Sequence, residues 1–155
     1  MAATTGELLV TVHGATDLQD CEEWGDMDPY VTLAFTSPAA EGAASAATRT
    51  SMKGGTNPTW QDETLALPVT ADPGQLRVEV WNQNRAAPDD LVGFGQCSIY
   101  EALQGGGPSE LAVPLTAHPS GKAQGFVHLR LAFRPLPPDQ AAAAARAEMA
   151  GAGAE

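Results

Sequence analysis

The chain has 155 residues, enough for one domain with its own core, and at 43% apolar and 17% charged residues most of it is not a disordered polymer. Its net charge of -11, from 19 acidic against 8 basic side chains, excludes a nucleic-acid surface and constitutive attraction to anionic lipid, since both need Lys and Arg in excess. No apolar run approaches the ~20 residues that span a bilayer. Met1 to Glu7 carries neither the basic stretch nor the apolar core of a secretory leader, and two cysteines, Cys21 and Cys97, do not make a disulfide framework. A soluble protein of a reducing, cytoplasmic compartment is expected.

Turn signals then separate a series of short β-like runs, the pattern of an all-β sandwich. Leu8 to Val12 is the first run. Six carboxylates follow between Asp17 and Asp28 (Asp17, Asp20, Glu22, Glu23, Asp26, Asp28) with no compensating base. Tyr30 to Phe35 is the second run, so the acidic segment joins two strands. Loops of this kind build hard-cation sites from carboxylate and carbonyl oxygens; a solubilising acidic loop is the other reading of the same residues. Ser37 to Ala47 is small-residue, low-complexity chain and reads as a long loop.

Further strands are expected at Ala47 to Ser51, Thr64 to Leu67, Gln75 to Trp81, Leu91 to Ile99, Glu110 to Leu115 and Gly125 to Phe133, eight in all. The fifth alternates Leu76, Val78 and Val80 against Arg77 and Glu79, and the last alternates Val127, Leu129, Leu131 and Phe133 against His128 and Arg130. Ser98 to Leu103 can make one helical turn. From Pro135 the texture changes to a proline-rich linker and an alanine-rich tail from Gln140 to Ala150, with Asp139 placed as an N-cap. A lone helix of that length is marginal in water, so the tail is helical or disordered. The division is an arm at 1–5, a sandwich at 6–134 and a linker with tail at 135–155.

No catalytic set is visible. His13, His118 and His128 are isolated in sequence, and Cys97 reads as core. Cys21 reads as exposed on the acidic loop, where neighbouring anions raise its pKa and blunt its reactivity. Gly105 to Gly107 lacks the strand-to-helix setting of a phosphate cradle. Trp60, Trp81, Leu8, Val10, Val12, Val31, Leu33, Leu76, Val78, Val80, Leu129 and Leu131 are expected in the core, with Tyr30 in the same structural class.

Several motifs occur in one order. Gly6 to Val10 is followed by Ala15 to Leu18, then Trp24-Gly25-Asp26-Met27-Asp28-Pro29-Tyr30-Val31. Asn57-Pro58-Thr59-Trp60 precedes Glu63, and Val80-Trp81-Asn82-Gln83-Asn84 precedes Asp90-Leu91-Val92-Gly93. In this order residues 6–134 resemble a C2 domain, the calcium- and lipid-binding β-sandwich, and most of all its small single-module plant members. The Asn-Pro-x-Trp-x-Glu turn departs from the family by one extra residue before Glu63.

The resemblance implies an eight-stranded antiparallel sandwich whose first and third loops supply calcium ligands at one end. The matching positions are Glu22, Asp28, Asn82, Asn84 and Asp90. Glu22 replaces an Asp, and Asn82 and Asn84 replace two aspartates that bridge ions, which leaves three carboxylates where the family has five. Calcium affinity follows ligand charge, so the resemblance implies weak calcium binding, in the ~10⁻⁴ to 10⁻³ M range of low-charge modules. It also implies docking of the loop end to anionic membrane lipid through calcium. Trp24 is the candidate interfacial anchor there, unless it packs on the loop base. The family's basic concave face is poorly supplied, with Arg49, Lys53 and Arg77 as candidates. The neutral Asn82 and Asn84 and the scarcity of lysine point equally to a second reading, a calcium-insensitive subunit of a larger protein assembly, cytoskeletal for example.

Overall fold

The computed structural model describes residues 5–37, 45–105 and 107–136. Residues 1–4 of the expected arm, 38–44 of the expected long loop and the tail beyond 136 lie outside the described residues.

Eight strands follow in chain order: β1 (Gly6–Thr16), β2 (Pro29–Phe35), β3 (Ala46–Ala47), β4 (Thr59–Val69), β5 (Leu76–Asn82), β6 (Asp90–Cys97), β7 (Ser109–Ala117) and β8 (Ala123–Pro135), with the single-turn helix α1 (Tyr100–Leu103) between β6 and β7. They hydrogen-bond in the order β3-β2-β5-β6-β7-β8-β1-β4, and every paired neighbour is antiparallel.

The β6/β7 junction carries only two residue pairs, Gly93 with Ala117 and Phe94 with Thr116. There the ladder folds over, so that β3-β2-β5-β6 faces β7-β8-β1-β4. Val31, Leu33, Val78 and Val80 from one layer share a single apolar core with Leu8, Val10, Leu129 and Leu131 from the other. All eight are at most 1% exposed, and burying each such side chain stabilises the fold by about 1.5–3 kcal/mol. Gly95 permits the close approach at the junction, because a methyl group there would run into the Pro114 carbonyl oxygen.

The period-2 expectations hold in β5 and in β8 as far as Leu131, whereas Phe133 is only partly buried. In β5 every second residue from Leu76 is buried, and Asn82 at its end takes the same inward parity. Trp81 and Tyr30, expected in the core, are instead half-buried on the outer face. Trp81 shares the parity of Arg77 and Glu79, and register pairs it with Tyr30 across the β2/β5 ladder.

Two strand extents also differ from expectation. The third strand is only Ala46–Ala47; beyond it the buried Thr48 hydroxyl accepts a 3.0 Å hydrogen bond from the Val31 N–H and donates one of 2.8 Å to the Arg49 carbonyl. The fourth starts at Thr59, well before Thr64, because Trp60 is drawn into the core at 3% exposure and its indole N–H donates to the Pro29 carbonyl at 3.2 Å. The extra residue before Glu63 is absorbed in a bulge. Val12 pairs with Glu63 and Gly14 with Thr59, and Gln61 and Asp62 take positive φ angles of 55° and 58°.

Candidate functional site

The β1–β2 loop and the β5–β6 loop meet at one end of the sandwich, since Pro29 pairs with Asn82 and Asn82 with Asp90. Leu18 and Met27, 2% and 0% exposed, pin the two ends of the acidic loop into the core. The Cys21 N–H also donates to the Met27 sulfur at 3.3 Å. Between these anchors Trp24 stands 84% exposed, next to Gly25 at a φ of 76°. It does not pack on the loop base.

Of the five expected ligand positions, Glu22, Asn82, Asn84 and Asp90 join one hydrogen-bonded group. Asn82 is fully buried. Its Oδ1 accepts from the Asp28 backbone N–H at 2.9 Å, and its Nδ2 donates to Glu22 at 2.7 Å and to Asp90 at 3.4 Å. Because a backbone N–H can only donate, Oδ1 must face Asp28, and that turns the amide N–H groups toward the two carboxylates. The Asn84 side-chain amide donates to the same Asp90 oxygen at 3.1 Å and to the Pro88 carbonyl at 2.9 Å. The Asp28 carboxylate turns another way and accepts from the Lys53 N–H at 2.7 Å.

This arrangement does not fit a calcium cage. A hard cation needs oxygens converging on it, yet the point between Glu22 and Asp90 is filled by N–H donors. Among the described residues no group of three or more His, Cys, Asp or Glu side chains lies at metal-binding spacing. The five positions are thus close together, but with the donor polarity of a structural cross-link.

Beside the group, the Tyr30 hydroxyl donates to Asp89 at 2.6 Å, and the other Asp89 oxygen accepts from the Asn84 N–H at 2.9 Å. Burial first, then the bond to Asp89, pushes the Tyr30 hydroxyl up to about 12. The Tyr30 bond, followed by the Asn84 N–H, holds the Asp89 carboxyl below its ordinary value. Tyr30, Arg77, Trp81 and Asp89 line an open groove of about 530 Å³ on the outer face. Arg77 there is already engaged, by Glu79 at 2.7 Å and by the Phe94 ring at 4.9 Å.

Two cysteine expectations are refined. Cys97 is half-buried against the core, and burial pushes its thiol up to about 11. Cys21 is also half-buried, not exposed, and burial raises its pKa more than the anions Asp90, Asp20 and Glu22 do.

Two of the histidines expected to be isolated are not. His128 Nε2 lies 2.9 Å from the Thr16 hydroxyl. His13 lies between Asp62 on β4, 2.5 Å from Nδ1, and Glu110 on β7, 2.9 Å from Nε2; Glu110 is also bound by Arg130 on β8. With a carboxylate at each ring nitrogen the imidazolium is favoured, and the His13 pKa is raised, chiefly by Asp62. Sequence reading misses this row because Asp62 and Glu110 are 49 and 97 residues from His13. The one available signal is the extra residue between Trp60 and Glu63, whose bulge aims Asp62 at the imidazole. The row ties four strands together through side-chain bonds.

Comparison with solved structures finds the same fold. A C2 domain-containing protein from a putative elicitor-responsive gene is 23% identical at a TM-score of 0.68, covering 89% of this chain and 95% of that one. The C2A domain of a plant extended synaptotagmin 1 is 20% identical at 0.70, covering 86% and 98%. The calcium-bound C2A and C2B domains of extended synaptotagmin 2 are 21% identical at 0.68, covering 89% of this chain and 49% of that one. No curated protein sequence matches the chain. The family model described as the C2 domain matches residues 6–114, and on that match the chain belongs to the C2 domain family.

Proposed function

We propose that this protein is a non-catalytic cytoplasmic docking module that engages phospholipid membranes through the end formed by the β1–β2 and β5–β6 loops, with weak calcium dependence. The observation that carries this reading is Trp24, held 84% exposed at the tip of a loop whose two ends are anchored by Leu18 and Met27. An indole presented this way places an apolar body and a polar N–H at the depth of lipid headgroups. Weak calcium dependence is supported by the neutral Asn82 and Asn84 and by the donor polarity around Glu22 and Asp90. The non-catalytic reading is supported by His13 being held between carboxylates and by Cys97 being raised by burial.

Co-sedimentation with zwitterionic and with anionic vesicles, in chelator and in millimolar calcium, tests the proposal. Binding that is largely lost in Trp24→Ala and changes little with calcium is expected. Absence of binding to every vesicle retires the membrane reading. The second reading, a calcium-insensitive subunit of a protein assembly, is favoured by the pairing of Arg49 with Glu63 and of Arg77 with Glu79. That pairing engages two of the three cationic candidates of the concave face, Arg49 and Arg77. Comigration of the native protein with a large complex supports the second reading over the first.

A further inference from the structure

We infer that the Asn82 side-chain amide takes the bridging place within this chain that a bound cation would take: it ties Glu22 and Asp90 together and offsets part of their repulsion, so that the loop end is assembled without calcium. The inference deepens the docking reading above and rests on it for its functional meaning. Its tests use neither lipid nor partner, so the two can fail separately.

Three observations support the inference together. First, Asn82 is fully buried yet completely satisfied, with Oδ1 on the Asp28 N–H and Nδ2 shared by Glu22 and Asp90. Hydrogen bonds to ionised acceptors are stronger than neutral ones, so the amide partly offsets the repulsion of two nearby carboxylates. Second, the bonds reach three separate places in the chain. Glu22 lies mid-loop, Asp28 at the entry to β2 and Asp90 at the start of β6, while Asn82 ends the strand between β2 and β6. A single side chain thereby fixes the loops relative to each other. Third, a cation between Glu22 and Asp90 would require the amide to turn over, which breaks the Asp28 bond and places a buried N–H pair against a backbone N–H. Asn82 is therefore the residue that sets this module's calcium response.

Removing a carboxylate distinguishes the two situations by sign. If Glu22 belongs to an unneutralised acidic cluster, Glu22→Ala relieves repulsion and raises Tm in chelator. If Asn82 already clasps it, Glu22→Ala strips a hydrogen bond from a buried amide and lowers Tm in chelator by about 2–6 °C. The fall is expected; an unchanged or raised Tm overturns the inference. Asn82→Asp is the complementary variant. It should melt lower than the parent in chelator, recover in millimolar calcium, and bind calcium at least about tenfold more tightly by calorimetry. An Asn82→Asp protein with parental calcium affinity overturns the inference as well. If that variant fails to fold, the Glu22→Ala result alone decides.

Discussion

The Tyr30 hydroxyl and the Asp89 carboxylate share a 2.6 Å hydrogen bond that joins the start of β2 to the β5–β6 loop, and each shifts the other's titration in the opposite direction. Tyr30 ionises at about 12, raised by burial first and Asp89 second. In a Tyr100→Phe background, which leaves Tyr30 as the sole tyrosine, Asp89→Asn should bring the tyrosinate midpoint down from about 12 toward the ordinary 10 without reaching it, because the larger cause remains. Absorbance titration reads this directly. A lowered carboxyl contributes stability above its unfolded pKa and loses it as pH falls through the folded one. The Asp89→Asn variant should accordingly lose that part of the parent's acid sensitivity.

The row Asp62–His13–Glu110–Arg130 sets a pH window of its own. His13 is raised from 6.5, so its contribution is complete below 6.5 and is lost as pH rises through the folded value. Glu110 is lowered from 4.5, chiefly by Arg130, so its contribution is complete above 4.5 and is lost as pH falls through its folded value. The clasp should therefore stabilise most between pH 4.5 and 6.5. His13→Ala should lower Tm by about 1–3 °C inside that window, and by less once pH has risen through the folded His13 value, the small size reflecting solvent screening. Thermal melts across pH check it; a loss that is largest in alkaline solution contradicts the sign.

Trp60 ties β4 to β2 by packing and by one hydrogen bond. Trp60→Ala should cost about 3–5 kcal/mol. Trp60→Phe keeps much of the packing and removes one of two donors to the Pro29 carbonyl, which still accepts from the Ser51 N–H at 2.7 Å, and should cost about 0.5–1.5 kcal/mol. Urea denaturation of both variants checks the order as well as the sizes.

How far the sequence carries the reading depends on distance along the chain. Local period sets the β5 face from Leu76 to Val80, and it extends to Asn82. The same parity places Trp81 outside with Arg77 and Glu79; residue type alone misleads there, and alternation does not. Motif spacing brings Glu22, Asp28, Asn82, Asn84 and Asp90 to one end. It carries no information on amide orientation, which is dictated by a backbone N–H at Asp28. The His13 row is illegible for a related reason: its members come from four strands that become neighbours only after the sheet forms. The expected third strand is too long because Thr48 supplies with its side chain a bond that a longer strand would supply with its backbone.

At the thin β6/β7 junction, Gly95→Ala should push β7 away from β6 and cost about 1–3 kcal/mol through forced displacement. Hydrogen exchange should accelerate at Phe94 and Ala117 more than at the β1/β8 ladder. Uniform acceleration would mean that the two layers open together.

The ladder between β1 and β8 begins at Gly6 opposite Pro135, and the Leu136 N–H donates to the Thr5 carbonyl at 3.1 Å. The backbone thus enters and leaves the sandwich side by side, at the pole opposite Trp24 and Asn82. Anything tethered at either point, whether a fluorophore, an immobilisation tag or a second module, hangs from the far side and leaves the Trp24 pole facing outward. A protein captured through residue 5 or residue 136 should leave that pole accessible to solution.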